Sequence, residues 1–237
     1  MDVNAVAAVR MLGLAANYFA VAHPSLPNYI AATSGGTQGI SNDDSPASHP
    51  LSVVSLFEQA PSARSYEESM PSPCDLGSPY PYAVKHNPEA YYLRVRKTCQ
   101  ANDIALGTVA KGAFAHALDA GTLPAFSFVT PNLCNDMHDC AVATGDAWLE
   151  RWMTRITASA TYRAGHTAIF VVWDEDDETA DNRVPLIVVS PWTKAGTRSG
   201  TRFTHYSLLR TTEELLGIRA HLGRAASAVS LRRAFGL

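Results

Sequence analysis

The stretch Thr167–Glu175 reads TAIFVVWDE, an apolar run that ends abruptly in two carboxylates. A second apolar run, Val184–Val189, is followed directly by Ser-Pro. Continuous apolar runs are typical of strands buried on both faces. Upstream, Phe126–Thr130 also predicts a strand, and residues 145–161 predict a helix between it and the first run. This alternation predicts an α/β fold, an open and mostly parallel sheet flanked by helices.

The composition narrows the class of protein. The 237 residues, 46% of them hydrophobic, fit a single domain over residues 1–237 with a sizeable core. Only 17% of residues are charged, the net charge is -3, and the sequence shows no basic stripe, which argues against nucleic acid as a partner. No apolar run approaches the ~18 residues of a membrane span. We expect a helix over residues 3–16 and a short strand from Tyr18 to Ala22.

Four cysteines, Cys74, Cys99, Cys134 and Cys140, allow two disulfides with three connectivities. Pairing neighbours in sequence would close one medium loop and one short loop. Four thiols could instead bind zinc, but no C-x-x-C spacing is present. Disulfides are favoured and indicate an oxidising compartment. The first ten residues, however, do not have the pattern of a signal peptide.

Polar clusters follow the predicted strands, where ligands bind in open α/β sheets. His23–Tyr29 (HPSLPNY) places Ser25 at the start of a short helix that stops at Gly35-Gly36. Such a start favours an anion, although a plain Ser N-cap explains the same pattern.

Three further positions carry possible metal ligands. Asp174 and Glu175 end their strand as paired oxygen donors, with a solvated acidic loop as the alternative. Asp136 and His138 lie two residues apart in a loop that a Cys134–Cys140 bridge would hold rigid. His205, at a predicted helix start, is also explained as a surface residue beside a capping Thr204.

Five motifs in this order resemble the bacterial phosphoesterase family, the secreted acid phosphatases and phospholipases C of the alkaline phosphatase superfamily. They are His23–Tyr29, Lys85–Pro88 (KHNP), Pro131–Asp139 (PNLCNDMHD), Trp173–Glu175 and Thr204–Thr211 (THYSLLRT). The resemblance covers nearly the whole chain from about residue 5. It implies an alkaline phosphatase-like fold, a secreted protein and a substrate that is a phosphorylated small molecule or a phospholipid headgroup.

The resemblance also implies roles for individual residues. Ser25 would be the nucleophile that becomes phosphorylated, and Asn28 would hydrogen-bond a phosphate oxygen. Lys85 and His86 would help to hold the substrate's charge. A divalent metal ion would neutralise the phosphoryl group and activate the serine. The candidate ligands or phosphate contacts are Asp136, His138, Asp174, Glu175 and His205.

One departure from the family concerns the start of the chain. Family members begin with an apolar strand that ends in a Glu-Asn pair of the metal site, and nothing in this sequence matches it. We therefore expect that the sequence lacks the first strand and one part of the metal site, which predicts weakened or absent activity.

The leading hypothesis is an acid phosphatase-like, metal-dependent phosphomonoesterase. A phospholipase C-type phosphodiesterase is the nearest alternative, because the family contains both activities. A catalytically impaired fold that only binds phosphorylated ligands is a second alternative, and a zinc-thiolate module is a third.

Overall fold

A computed structural model describes residues 13–237. The described residues form two compact units: unit 1 comprises the described residues up to Asp43 together with Gly165–Leu237, and unit 2 comprises Asp44–Ala164. Each unit has its own sheet. The single-domain interpretation stays a prediction.

The elements are numbered in chain order. The described strands are β1 (Gly13–Phe19), β2 (Ala63–Glu67), β3 (Asp103–Ala105), β4 (Phe126–Thr130), β5 (Ile169–Val172), β6 (Arg183–Val189), β7 (Arg198–Ser199) and β8 (Phe203–Thr204). The described α-helices are α1 (Ser25–Ser34), α2 (Leu56–Gln59), α3 (Cys99–Asn102), α4 (Ala113–Ala120), α5 (Val142–Ala158), α6 (Ala160–Arg163), α7 (His205–Leu215) and α8 (Arg232–Phe235). Short 3₁₀ helices span Val84–His86, Pro88–Tyr91 and Gly223–Ser227.

The sheet of unit 1 is mixed. Its order is β5-β6-β1-β7, with β8 also pairing with β1. β6 runs antiparallel to both β5 and β1, whereas β7 and β8 run parallel to β1. The core on this sheet is formed by Tyr18, Leu186, Val188, Phe203 and Phe235. The α/β class is confirmed. Because β5 and β6 are adjacent and antiparallel, their C-terminal ends lie at opposite edges of the sheet.

The sheet of unit 2 is parallel throughout, in the order β3-β2-β4. Tyr66 of β2 packs with Phe114 of α4 and with Trp148 and Trp152 of α5 in one buried cluster. The apolar positions of α5 recur at helical spacing, so one face of the helix covers this cluster.

Most predicted elements are present, with several corrections. β4, β5, β6, α5 and α7 lie where the sequence predicts them. The helix predicted over residues 3–16 lies outside the described residues as far as residue 12, and from Gly13 the chain forms β1 instead. Residues Asp103–Ala105 form the short strand β3, for which the sequence analysis gives no prediction.

Both disulfides have the sequence-local pairing, Cys74–Cys99 and Cys134–Cys140. The described part of the chain therefore holds no free thiol, and the zinc-thiolate alternative is wrong. Among the described helices, none is both long enough and apolar enough to cross a bilayer.

Candidate active site

Ser25 is the first residue of α1, and its side chain is directed toward a carboxylate. Pro24, not Ser25, occupies the N-cap position, so the plain capping role is not what the structure shows. The Ser25 hydroxyl donates a hydrogen bond of 2.9 Å to Oε1 of Glu175, 150 residues later in the chain. The residue is buried, with 2% exposure. A serine hydroxyl needs a base or a cation to act as a nucleophile at neutral pH, and the Glu175 carboxylate lies within reach of that hydroxyl.

Asn28 holds the loop that delivers the serine. Its Oδ1 accepts hydrogen bonds from the backbone N–H groups of Val21 and Ala22, and its Nδ2 donates to the carbonyls of Ala22 and Pro24. An asparagine amide has two acceptor and two donor positions, so these four bonds use them all. The structure thus shows a positioning residue. The phosphate contact predicted for Asn28 stays a prediction, and it requires one of these bonds to break.

Glu175 is bound on both carboxylate oxygens. Oε2 lies 2.6 Å from Nδ1 of His23, while Oε1 accepts from Ser25. Burial raises the pKa of Glu175 above its ordinary value, the bond from Ser25 lowers it, and the adjacent Asp174 raises it further. His23 also places its Nε2 3.2 Å from Oδ1 of Asp176. Sequence reasoning assigned no role to His23, although it lies in the same motif as Ser25.

The acidic run after β5 is a folded turn. Asp176 accepts backbone hydrogen bonds from Glu178, Ala180 and Asn182. Burial alone would raise the pKa of Asp176, but these three N–H donors hold it below its ordinary value. The turn fixes the backbone next to Glu175 and so helps to hold the Glu175 carboxylate in one orientation.

His205 joins the end of β5 to β1. Its Nε2 lies 2.7 Å from the carbonyl oxygen of Asp174, and its Nδ1 lies 2.9 Å from the hydroxyl of Tyr18. Because a carbonyl only accepts, Nε2 carries the proton and Nδ1 accepts from Tyr18. Burial lowers the pKa of His205, which favours this neutral form. Both ring nitrogens are engaged, so a ligand role for His205 requires one of these bonds to break.

A second group of predicted residues lies in unit 2. His86, on the 3₁₀ helix Val84–His86, places Nδ1 3.2 Å from Oδ2 of Asp136. The rings of His86 and His138 are 6.1 Å apart between centroids. The backbone N–H of His138 donates to Oδ1 of Asp136, and its Nδ1 lies 2.6 Å from Oδ1 of Asp139. Lys85 is half-buried on the same 3₁₀ turn as His86. The structure thus brings together His86, Asp136 and His138.

Glu68 fixes the loop that carries Asp136. One of its carboxylate oxygens accepts from the backbone of Asn132 and the side chain of Asn135, and the other accepts from the Trp148 indole. Met137 packs against α5 at Gly145. A Cβ on Gly145 would lie 2.5 Å from the Met137 side chain. Sequence reasoning missed Glu68, because its partners lie 64 to 80 residues away.

Unit 2 also contains a buried acid cluster, formed by Glu67, Glu89 and Asp103, each at most 2% exposed. Burial raises the pKa of Glu89 to about 8 and that of Asp103 to about 6. Burial, and after it the charge of Asp103, also raise the pKa of Glu67 well above its ordinary value. Asn87 donates to Asp103 at 2.8 Å, and Ser65 donates to Glu67 at 2.7 Å. No sequence signal pointed to this cluster.

The predicted metal site is not assembled by the described residues. Within residues 13–237, no three His, Cys, Asp or Glu side chains are grouped so that they could hold a metal ion. In unit 1 the oxygens of Glu175 and the nitrogens of His205 are bound to protein partners. The residues present therefore do not fit a metal ion in this arrangement, and the divalent cation stays a prediction.

A serine hydroxyl that donates to a carboxylate at a helix start has a possible base within hydrogen-bond reach, as nucleophilic catalysis by serine requires. The chain belongs to the Phosphoesterase family, whose sequence profile matches residues 3–219.

The named relatives are phosphatases. A phosphatidylinositol-3-phosphatase of Mycobacterium tuberculosis is 33% identical over 211 residues, which cover 86% of this chain and 66% of the relative. A phosphate-repressible acid phosphatase of Penicillium chrysogenum is 32% identical over 225 residues, 89% of this chain and 53% of the relative. An acid phosphatase of Aspergillus fumigatus is 32% identical over 228 residues, 89% of this chain and 49% of the relative. The chain thus spans about half to two thirds of the length of the curated relatives it matches.

Proposed function

We propose that this protein hydrolyses phosphate monoesters through a phosphoserine intermediate at Ser25. The observation that carries the proposal is the hydrogen bond of 2.9 Å from the Ser25 hydroxyl to Glu175. Family membership and the names of the relatives, acid phosphatases and a phosphatidylinositol-3-phosphatase, support the choice of a phosphate monoester.

In the proposed reaction Glu175 accepts the Ser25 proton as Oγ attacks phosphorus. The Oγ–P bond forms, the bond from phosphorus to the substrate alcohol breaks, and the departing oxygen takes the proton from Glu175. Water then gives a proton to Glu175 as it attacks the phosphoserine. The Oγ–P bond breaks, Oγ takes that proton back from Glu175, and inorganic phosphate is released. General-base assistance of this kind contributes about 10²- to 10⁴-fold to a rate. His23 holds the second oxygen of Glu175 and so keeps the first oxygen facing the hydroxyl.

The test is nitrophenol release from nitrophenyl phosphate by Ser25→Ala. Loss of the nucleophile should lower kcat by at least about 10³-fold. Ser34→Ala is a matched control, because Ser34 is buried in the same helix and, among the described residues, its hydroxyl bonds to neighbouring backbone carbonyls and to Gln38. Undiminished activity of Ser25→Ala would refute the nucleophile assignment.

Further experiments separate the finer claims. Acid quenching during turnover followed by mass spectrometry should find one phosphoryl group on the peptide that contains Ser25. Assays with chelator and with added Mg²⁺, Mn²⁺, Ca²⁺ or Zn²⁺ test the predicted cation. Lys85→Ala and His86→Ala should raise KM if these residues hold substrate charge. A preference for bis-nitrophenyl phosphate would favour the phosphodiesterase alternative, and binding of phosphate without turnover would favour the impaired fold.

We also propose that the protein works in an oxidising, extracellular compartment. The two disulfides support this, because such bonds persist where thiols are not kept reduced. Loss of folded protein on expression in a reducing cytosol, with recovery on export, is the expected result.

A further inference from the structure

A cavity of about 480 Å³ lies in unit 1 beside the serine motif. Its wall includes His23 of that motif, the loop that follows α1, and Tyr206 and Arg224. The volume falls within the ~300–1,000 Å³ typical of small-molecule sites and is far more than one phosphate group fills. The cavity therefore has room for the alcohol portion of a phosphate ester.

The cavity is linked to the nucleophile through two hydrogen-bonded contacts. His23 lines the cavity, and its Nδ1 lies 2.6 Å from Glu175. The other oxygen of Glu175 accepts from the Ser25 hydroxyl. A ligand in the cavity would therefore be separated by the His23 side chain from the Glu175 carboxylate that contacts Ser25.

The lining is polar and carries positive charge. The lining residues include Thr37, Gln38 and Ser41, which carry hydroxyl and amide groups, and Arg224, which carries a guanidinium. Of the described residues that line the cavity, none is acidic. Arg224 lies over the Tyr206 ring at 5.5 Å from its centroid, and no described carboxylate forms an ion pair with it. A guanidinium that no described carboxylate neutralises is suited to bind an anionic oxygen group through two parallel hydrogen bonds.

The backbone of Arg224 is fixed against the end of α1. Its N–H donates to the carbonyl of Gly35 at 2.8 Å. Gly35 and Gly223 permit this close approach, because a Cβ on Gly35 would lie 2.1 Å from the carbonyl oxygen of Leu222, and a Cβ on Gly223 would lie 2.4 Å from that of Gly35. Arg224 is therefore attached to the same helix that presents Ser25.

We propose that this cavity is the leaving-group subsite, and that it selects phosphate monoesters whose alcohol is a polyol carrying a second anionic phosphate group. Arg224 binds that second group, and the side chains of Thr37, Gln38 and Ser41 bind the hydroxyls. The inference rests on the proposed function, because it names the substrate class of the same site.

The test compares Arg224→Gln with Arg233→Gln. Arg233 is an exposed arginine of the same unit that does not line the cavity, so its variant removes the same charge. The substrates are myo-inositol 1,4-bisphosphate, nitrophenyl phosphate, and phosphatidylcholine vesicles containing phosphatidylinositol 3-phosphate. The expected result is a fall of about 10- to 100-fold in the ratio of kcat/KM for the bisphosphate to that for nitrophenyl phosphate in Arg224→Gln, as for loss of a charged hydrogen bond. The ratio should not change in Arg233→Gln.

The vesicle arm identifies the source of the polyol. A fall confined to vesicles assigns the subsite to a lipid headgroup, and a fall confined to the soluble bisphosphate assigns it to a free phosphorylated polyol. Equal ratios in Arg224→Gln and wild type for both substrates would overturn the proposal.

A binding measurement keeps the subsite separate from catalysis. Calorimetry should show that the Ser25→Ala variant binds myo-inositol 1,4-bisphosphate. Adding Arg224→Gln to this variant should weaken the binding by a similar factor, whereas adding Arg233→Gln should not. No binding, or equal weakening by both substitutions, would overturn the subsite, even if Ser25 proves to be the nucleophile. Arginine-dependent binding without turnover by wild type would instead support the subsite and reject the proposed hydrolysis.

Discussion

Glu89→Gln should make unit 2 more stable at neutral pH and change its stability little in acid. Glu89 is 2% exposed, and burial raises its pKa to about 8 from an ordinary 4.5, with the charge of Asp103 adding to the rise. A backbone hydrogen bond from Ser65 and the charge of Arg64 act in the opposite direction. Oε2 of Glu89 accepts no hydrogen bond from the described residues. The folded protein therefore holds this carboxyl in its protonated form.

The direction of the pH dependence follows from the pKa of Glu89 in the folded and in the unfolded chain. In the unfolded chain Glu89 ionises near its ordinary pKa of 4.5, whereas in the folded chain it stays protonated up to about pH 8. Its contribution to stability is therefore fully present below the unfolded pKa and is lost as the pH rises through the folded value. At about 1.4 kcal/mol per unit of pKa difference, the loss is roughly 3 kcal/mol by pH ~7 and 4–5 kcal/mol above pH ~8. That is a large part of the 5–15 kcal/mol by which a typical domain is stable.

Glutamine has nearly the shape of the protonated acid but does not titrate. Urea unfolding, followed through the buried Trp148 and Trp152, should give a stability difference between Glu89→Gln and wild type that grows by roughly 3 kcal/mol from pH ~4.5 to ~7. Glu150→Gln, at an exposed position on α5, is the matched control and should follow the wild-type curve. Parallel pH profiles for Glu89→Gln and wild type would refute the reasoning. Asp103, whose pKa burial raises to about 6, should add a smaller loss over a lower pH range.

Two further substitutions test contacts in unit 1, each measured by the free energy of unfolding. Tyr18→Phe removes the hydroxyl that donates to Nδ1 of His205 and should cost about 1–3 kcal/mol, because a buried acceptor loses its partner; no loss would show that the bond contributes nothing. Gly35→Ala should cost more than about 1 kcal/mol, since Gly35 has a φ of 76° and an added Cβ would lie 2.1 Å from the carbonyl oxygen of Leu222. A neutral or stabilising effect would contradict the close approach that fixes Arg224.

The sequence predicts the elements whose signal is local. The apolar runs of β5 and β6 are long enough to be read as strands, and the capping box of Thr204 and Ser207 marks the start of α7. The direction of a strand is not encoded in its hydrophobic pattern, so the antiparallel pairing of β5 with β6 was not predictable. A strand of three residues such as β3 is too short for its periodicity to be recognised.

The same distinction between local and long-range signals applies to the candidate site. Ser25 and Glu175 could be singled out as candidates because each lies at the end of a recognisable element, and their roles stay a prediction. His23 and Glu68 could not be assigned roles, because those roles consist of contacts with residues 64 to 152 positions away. The buried acids were missed for another reason: a carboxylate in the sequence is expected at the surface, and burial of three together depends on the tertiary fold.

The acidic residues after β5 show that a charged stretch can combine a residue of the candidate site with residues that only stabilise the local backbone. Glu175 accepts from the Ser25 hydroxyl, which fits the proposed reaction but is a different contact from the metal ligation that the sequence predicts for this residue. Asp176 instead binds backbone N–H groups of its own turn, as a structural acidic loop would. Asp174 takes part through its carbonyl, which binds His205. Because the turn and the His205 contact fix the backbone on both sides of Glu175, the neighbours of the carboxylate are what give it a single direction toward the serine.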